Sequence, residues 1–215
     1  EKCGVFGVYA KDREAFPYLY WGMLAQNHRG HQSHGFATYD GHLDYYTGLG
    51  LIPPFKEPGM ESRVKVLKGG VGIGNVRYTT SGSSDADALR RDAMPIMARG
   101  DERSLVLSFN GNIVNVRRLQ DMVGLDGSTS DTHALAYLLV DEYERTGSLP
   151  DAARRCMETL DGAYSLTGIL DDGTLFALKD PLGMKPLCFG FGDGVYAFSS
   201  ESTGLAINGL EWQRE

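Results

Sequence analysis

Three Asp-Gly pairs, Asp40-Gly41, Asp172-Gly173 and Asp193-Gly194, each fall between strand-like apolar runs. An Asp-Gly step tolerates the positive φ angles of a type I′ turn, so each pair predicts a tight hairpin and together they commit the chain to antiparallel sheet. Residues 3–10 add a buried strand at the start. Helical signals lie between the strand-rich ends. Asp12 is placed to cap a helix over 14–27, with Phe16, Leu19, Met23 and Leu24 inward. Ser130 or Asp131 caps a helix running to Arg145 with Ala134, Leu135, Leu138 and Leu139 on one stripe. Another starts at Leu149, where Ser148 and Asp151 have capping-box spacing and Ala153, Cys156, Met157 and Leu160 form the stripe. This order predicts a layered α+β architecture, sheets packed together with helices outside. Periodicity alone does not fix the layer order. The polar stretch from Thr79 to Asp87 reads as a mobile loop.

Composition narrows the classes. A length of 215 residues suits one well-buried domain, and a net charge of −7 without basic blocks excludes a nucleic-acid footprint. No apolar run approaches the ~18 residues of a membrane span, and no secretory-type leader is recognisable, so a cytoplasmic protein is expected. Cys3, Cys156 and Cys188 are too scattered for a disulfide framework or a zinc site, which fits a reducing compartment. Cys156 and Cys188 occupy a helix stripe and a strand, where inert burial is expected.

Cys3 is different because it heads the first strand, in Cys3-Gly4-Val5-Phe6-Gly7. A terminal cysteine has its own α-amine as base, the amine titrating near pH ~7.7–8.0 and the thiol near ~8.5. That chemistry needs Cys3 as the first residue of the mature chain. Glu1 and Lys2 precede it, either as a propeptide remnant to be removed or as the mark of a disabled form. Four further segments stand out: Asn27-His28-Arg29-Gly30, Gly74 to Gly82 with Arg77 and Thr80, Phe109-Asn110-Gly111-Asn112, and Thr129-Ser130-Asp131-Thr132. Each has a plain reading. Asn110-Gly111 is a turn signal, Asp131 a helix cap, Arg77 a surface charge and Cys3 a small buried hydrophobe.

In this order the segments resemble the glutaminase domain of class II glutamine amidotransferases, nearest the phosphoribosylpyrophosphate-using branch. The matching motifs are Cys3 to Gly7, His28-Arg29-Gly30, Val76-Arg77-Tyr78 through Gly82, Asn110-Gly111-Asn112 and Thr129 to Thr132. Lys179 to Leu187 and Ser199-Ser200-Glu201-Ser202 continue the pattern, so the resemblance covers essentially the whole chain. It implies a four-layer αββα sandwich of the N-terminal nucleophile hydrolase type. It also implies roles: Cys3 as nucleophile, Asn110 and Gly111 as oxyanion donors, and Arg77 and Asp131 for the carboxylate and ammonium of glutamine. Thr80 matches the loop that closes over glutamine, and Arg29 is grouped with the substrate-binding residues in a motif beside the nucleophile. The implied reaction is hydrolysis of glutamine to glutamate and ammonia without a cofactor. Ammonia would pass to a synthase domain or subunit of the phosphoribosylamine-forming, purine-biosynthetic type.

The chain also departs from that pattern, with Gly30-His31-Gln32-Ser33-His34, Asp92-Ala93-Met94-Pro95-Ile96 and Phe109 before Asn110. His28, His31 and His34 are evenly spaced, but no ligand-rich segment follows and no metal is expected. The glycine-rich pyrophosphate loop of the family's second domain is not found, so residues 1–215 are expected to form a single glutaminase domain without a phosphoribosyltransferase domain. A homo-oligomer remains open. Two alternatives stand beside this reading: a glutaminase subunit for another acceptor, such as a glutamate-synthase-like partner, and a catalytically silent regulatory paralogue.

Overall fold

The computed structural model describes residues 3–78, 85–127 and 129–214. In chain order the elements are β1 (Gly4–Ala10), α1 (Phe16–Leu24), β2 (Ser33–Tyr39), β3 (Leu43–Leu49), α2 (Pro58–Val64), β4 (Val71–Arg77), α3 (Ala86–Arg91), β5 (Ile96–Arg99) and β6 (Ser104–Ile113). The chain continues with α4 (Val116–Met122), α5 (Asp131–Thr146), α6 (Leu149–Thr159), β7 (Gly162–Leu170), β8 (Leu175–Lys179), β9 (Cys188–Gly192), β10 (Val195–Ser199), α7 (Ser202–Ala206) and β11 (Glu211–Arg214). One sheet runs β11-β9-β10-β1-β4-β2-β3 and the other β5-β6-β7-β8, and the pairings are antiparallel.

Three apolar layers hold these sheets together. Ala37, Val71, Ile73, Val106 and Ile169 fill the space between the sheets. Phe16, Leu19 and Met23 of α1 and Leu205 of α7 cover the outer face of the larger sheet with Phe6 and Val8. Leu135, Leu138, Leu139 and Cys156 from α5 and α6 cover the smaller sheet with Leu105, Leu107 and Phe109. The result is the four-layer αββα sandwich, each sheet hiding one face in the middle and one under helices. Gly7 lets the sheets approach: a Cβ there would lie 3.1 Å from Thr167 Cγ2.

The helix α5 is capped as its sequence requires. The Ser130 side chain accepts from the His133 N–H, and Gly147 ends the helix at φ 64°. Ser148 likewise caps α6 through the Asp151 N–H. Other expectations are corrected. Asp12 is no cap: it takes φ 57° in a turn, and α1 starts later at Phe16, with proline in its first turn and no side-chain cap. Only Asp193-Gly194 has positive φ at both residues, 52° and 78°, as a type I′ turn requires. At Gly41 and Gly173 glycine alone is left-handed, because these hairpins need a longer loop between their paired ends. Asn110-Gly111 makes no turn; both residues lie inside β6, opposite Ser165 and Tyr164. Of the stretch from Thr79 to Asp87, residues 79–84 lie outside the described residues. Its end is ordered helix, with Asp85 capping α3 through the Asp87 N–H.

Candidate active site

Cys3 stands at the head of β1, an inner strand of the larger sheet. Because Gly4 pairs with Val76 of β4, Cys3 lies beside the end of that strand, and its Sγ is 3.6 Å from the Tyr78 carbonyl oxygen. The residue is buried, 6% exposed. Two contacts fix the backbone that follows: Val5 N–H donates to Ser200 Oγ at 3.0 Å and Ser200 N–H donates to the Val5 carbonyl at 3.0 Å. The carbonyl of Cys3 itself accepts from Arg29 Nε at 3.0 Å.

Arg29 reaches this carbonyl from a 3-10 turn, Asn27–Arg29, that follows α1. Its Nη1 donates to Glu201 Oε1 at 2.6 Å, and His28 Nε2 lies 3.1 Å from the same oxygen. Burial pushes the Glu201 carboxyl up, but hydrogen bonds from Arg29 and His28 outweigh that and leave it below its ordinary value. Arg29 is therefore occupied with the Cys3 backbone and a counter-ion. It is not among the residues that line the cleft.

That cleft, about 370 Å³, opens beside Cys3 and is lined by Arg77, Asp92, Phe109, Gly111 and Asp131, among others. Gly111 can only be glycine here, since a Cβ would fall 2.6 Å from the Ala163 carbonyl oxygen and 2.7 Å from Tyr164 Cβ. Asp131, the first residue of α5, is tied to the end of β6: its Oδ2 accepts from Ile113 N–H at 3.3 Å and its Oδ1 from Thr132 N–H at 2.8 Å. Gln120 Nε2 donates to the Thr129 carbonyl at 2.7 Å and steadies the opposite wall. Arg77 ends β4 and turns its guanidinium toward Asp92, with Nη2 to Oδ2 at 3.7 Å. His133 is partly buried behind this pair. Burial pulls its imidazole below the ordinary range, Asp92 opposing and Arg91 and Arg77 reinforcing the shift.

The structure thus gathers Cys3, Gly111, Arg77 and Asp131 around one cleft. Asn110 is fully buried rather than on the cleft wall, and neither atom of its side-chain amide makes a hydrogen bond among the described residues. Such a buried amide is costly unless something pairs with it. Thr80 lies outside the described residues. The three evenly spaced histidines go separate ways: His28 to Glu201, His31 edge-on against Tyr78 at 5.1 Å, and His34 Nδ1 to the Gly50 carbonyl at 3.0 Å. Among the described residues no group of three or more histidine, cysteine, aspartate or glutamate side chains is arranged to hold a metal ion.

Two supporting residues escaped the reading of single segments. Glu201 lies in Ser199-Ser200-Glu201-Ser202, a segment that marks the resemblance but carries no chemistry of its own. Asp180 sits in Asp180-Pro181-Leu182-Gly183, a turn pattern. Its carboxylate accepts from the backbone N–H groups of Tyr164, Leu182 and Met184, locking the segment that follows β8.

Two antiparallel sheets between helical layers, with a cysteine heading an inner strand at the mouth of a cleft, make this an N-terminal nucleophile hydrolase fold. The family model of the glutamine amidotransferase domain matches residues 83–206, and the chain belongs to that family. It is 34% identical over 218 residues to an amidophosphoribosyltransferase of Archaeoglobus fulgidus, covering 99% of this chain and 46% of that protein. The amidophosphoribosyltransferase of Bacillus subtilis is 33% identical over 223 residues, covering 100% and 44%. A solved structure of the B. subtilis glutamine phosphoribosylpyrophosphate amidotransferase, complexed with ADP and GMP, superposes with a TM-score of 0.79 at 31% identity, covering 99% of this chain and 45% of that one. The chain spans less than half the length of these curated relatives. No helix among the described residues is long and apolar enough to cross a membrane.

Proposed function

We propose that residues 1–215 are a single glutaminase domain that hydrolyses glutamine to glutamate and ammonia through a thioester on Cys3. The observation that carries this reading is the meeting of Cys3, Gly111, Arg77 and Asp131 around one cleft. With its α-amine free, Cys3 gives its thiol proton to that amine, and the thiolate attacks the side-chain amide carbon of glutamine. Gly111 N–H and the Asn110 side-chain amide stabilise the oxyanion, for which the unpaired state of that amide is apt. The C–N bond then breaks as the amine returns its proton to the departing ammonia. Water adds to the thioester, releasing glutamate and the thiol.

Arg77 and Asp131 bind the carboxylate and ammonium of glutamine and so exclude simple amides. Arg29 acts as a positioning residue through the Cys3 carbonyl rather than as a substrate ligand. The ammonia goes to a synthase domain or subunit, and the amidophosphoribosyltransferase relatives support a phosphoribosylamine-forming one. Cys3, Cys156 and Cys188, none of them in a disulfide among the described residues, suit a cytoplasmic setting. The test is Cys3→Ala, a small change at a strand end that leaves circular dichroism unaltered. Loss of glutamine-dependent ammonia release is expected, and release near the parent rate overturns the mechanism.

A further inference from the structure

Asp92 lines the same cleft, and among the described residues its carboxylate meets only two cations at ion-pair range. It follows the last turn of α3, whose end is closed by its backbone N–H donating to the Ala88 carbonyl at 3.0 Å. A negative side chain beside the carbonyls of a helix C-terminus is disfavoured, so it does not serve the helix. The side chain is 17% exposed, and its buried Oδ1 makes no hydrogen bond among the described residues, which leaves Oδ2 facing Arg77 as the oxygen a ligand can reach. Its neighbours are cations at longer range: Arg77 Nη2 at 3.7 Å from Oδ2 and Arg91 Nε at 3.5 Å from Oδ1. A guanidinium and carboxylate free to close would approach to about 2.7–2.9 Å. Here they stand apart, each side chain mostly buried.

Asp131 is in the opposite condition. Both of its oxygens already accept backbone N–H groups at the junction of β6 and α5. It has less capacity left for a ligand than Asp92 has. An amino-acid zwitterion laid across the open Arg77–Asp92 pair would exchange one loose contact for two charge-assisted hydrogen bonds, its carboxylate on the guanidinium and its ammonium on the carboxylate.

We propose that Asp92 is a specificity-determining residue that receives the α-ammonium of the substrate, beside Asp131 and opposite Arg77. This rests on the glutaminase reading and deepens it. Selection for a free α-amino group then depends on two carboxylates, one fixed by the backbone and one left open for the ligand.

The experiment compares glutamine with glutaramate, which keeps the amide and the carboxylate but lacks the ammonium. In the Asp92→Asn variant of the full chain, KM for glutamine should rise by about 10- to 100-fold with little change in kcat, the loss of one charged hydrogen bond. The inhibition constant of glutaramate, competing against glutamine, should stay within about threefold of the parent value, because no ammonium is lost. Asp92→Glu, which restores the charge, should recover part of the preference for glutamine. Equal weakening of both ligands would mean that Asp92 acts only by orienting Arg77, and an unchanged KM would remove it from the site; either result overturns the proposal. Failure of the glutaminase reading looks different, since ammonia release would then persist in Cys3→Ala. Near-ultraviolet circular dichroism on each variant identifies a fold defect, and binding of both ligands to Cys3→Ala and Cys3→Ala/Asp92→Asn gives the same comparison without turnover.

Discussion

Glu201→Gln tests the support beneath the nucleophile. The carboxylate accepts from Arg29 Nη1 at 2.6 Å and lies 3.1 Å from His28 Nε2, while Arg29 Nε holds the Cys3 carbonyl. Glutamine keeps an acceptor oxygen in the same place, so the substitution removes the charge and not the bond. The bond from the Arg29 cation remains, and what is lost is the ion-pair attraction, about 0.2–1 kcal/mol for a partly exposed pair. The Glu201 side chain is 26% exposed, so that range already includes the solvent screening it meets. For a chain of this size, about 1 kcal/mol corresponds to a fall in Tm of about 2–4 °C, the upper limit here. The pH dependence has a definite sign. The folded carboxyl lies below its ordinary value, so its contribution is complete above about pH 4.3, the usual glutamate value, and disappears as the pH falls through the lower folded value. The Tm gap between parent and variant should therefore be full at pH 7 and shrink toward pH 3 in thermal melts followed by circular dichroism. Glutaminase assays on the same samples should show kcat down by about 3- to 10-fold with KM unchanged, since Arg29 touches the nucleophile's backbone and not the cleft. A Tm gap of equal size at both pH values, or a change confined to KM, would refute the argument.

Arg77→Lys should raise KM for glutamine by at least about tenfold while kcat changes little, because a planar fork becomes a point charge; steady-state kinetics decide it. Gly111→Ala should lower kcat by about 10²–10³-fold and stability by about 1–3 kcal/mol, as the new Cβ would meet the Ala163 carbonyl oxygen at 2.6 Å. Single-turnover rates and denaturant titration measure the two parts. Iodoacetamide at pH 8 should label Cys3 before Cys156, whose thiol is pushed up to about 12 by burial first and by Glu142 and Asp141 after that. Peptide mass mapping reads the order, and early labelling of Cys156 would contradict its burial.

Local signals read well wherever a residue's job concerned its own neighbours in the chain. Ser130 and Gly147 bound α5 as serine before and glycine after an apolar stripe should, and the strand expected over 3–10 is β1, Gly4–Ala10. The Asp-Gly pairs marked three hairpins, but only Asp193-Gly194 is a two-residue type I′ turn. Loop length is set by where the strands pair, which the dipeptide does not encode. Asn110-Gly111 shows the same limit in reverse: a turn-forming pair is held extended because β7 lies opposite it. The site was legible as a set of segments, not as a geometry. Glu201 acquires its role from Arg29, 172 positions away, and Asp92 acquires its interest from an Oδ1 buried without a hydrogen bond among the described residues.

The layer architecture itself explains why so few residues must agree for the site to exist. Cys3 and Arg77 come from the ends of β1 and β4 in the larger sheet, whereas Gly111 and Asp131 come from β6 and the start of α5 on the smaller one. The distance from the Cys3 thiol to Gly111 is therefore a distance between sheets, fixed by the side chains packed in the middle layer. Gly7 and Thr167 set that spacing near the centre, and Asn75 Nδ2 donates to the Phe109 carbonyl at 3.1 Å, joining β4 directly to β6. The Asn75 bridge and the unpaired Asn110 amide lie in successive positions along this seam, where the interior carries polar groups instead of the valine, isoleucine and alanine that fill it elsewhere. An all-apolar seam would bind the sheets at no polar cost. The polar end costs stability and, on the proposed glutaminase reading, supplies donors beside Cys3, so the fold is least optimised for packing where that chemistry needs fixed dipoles.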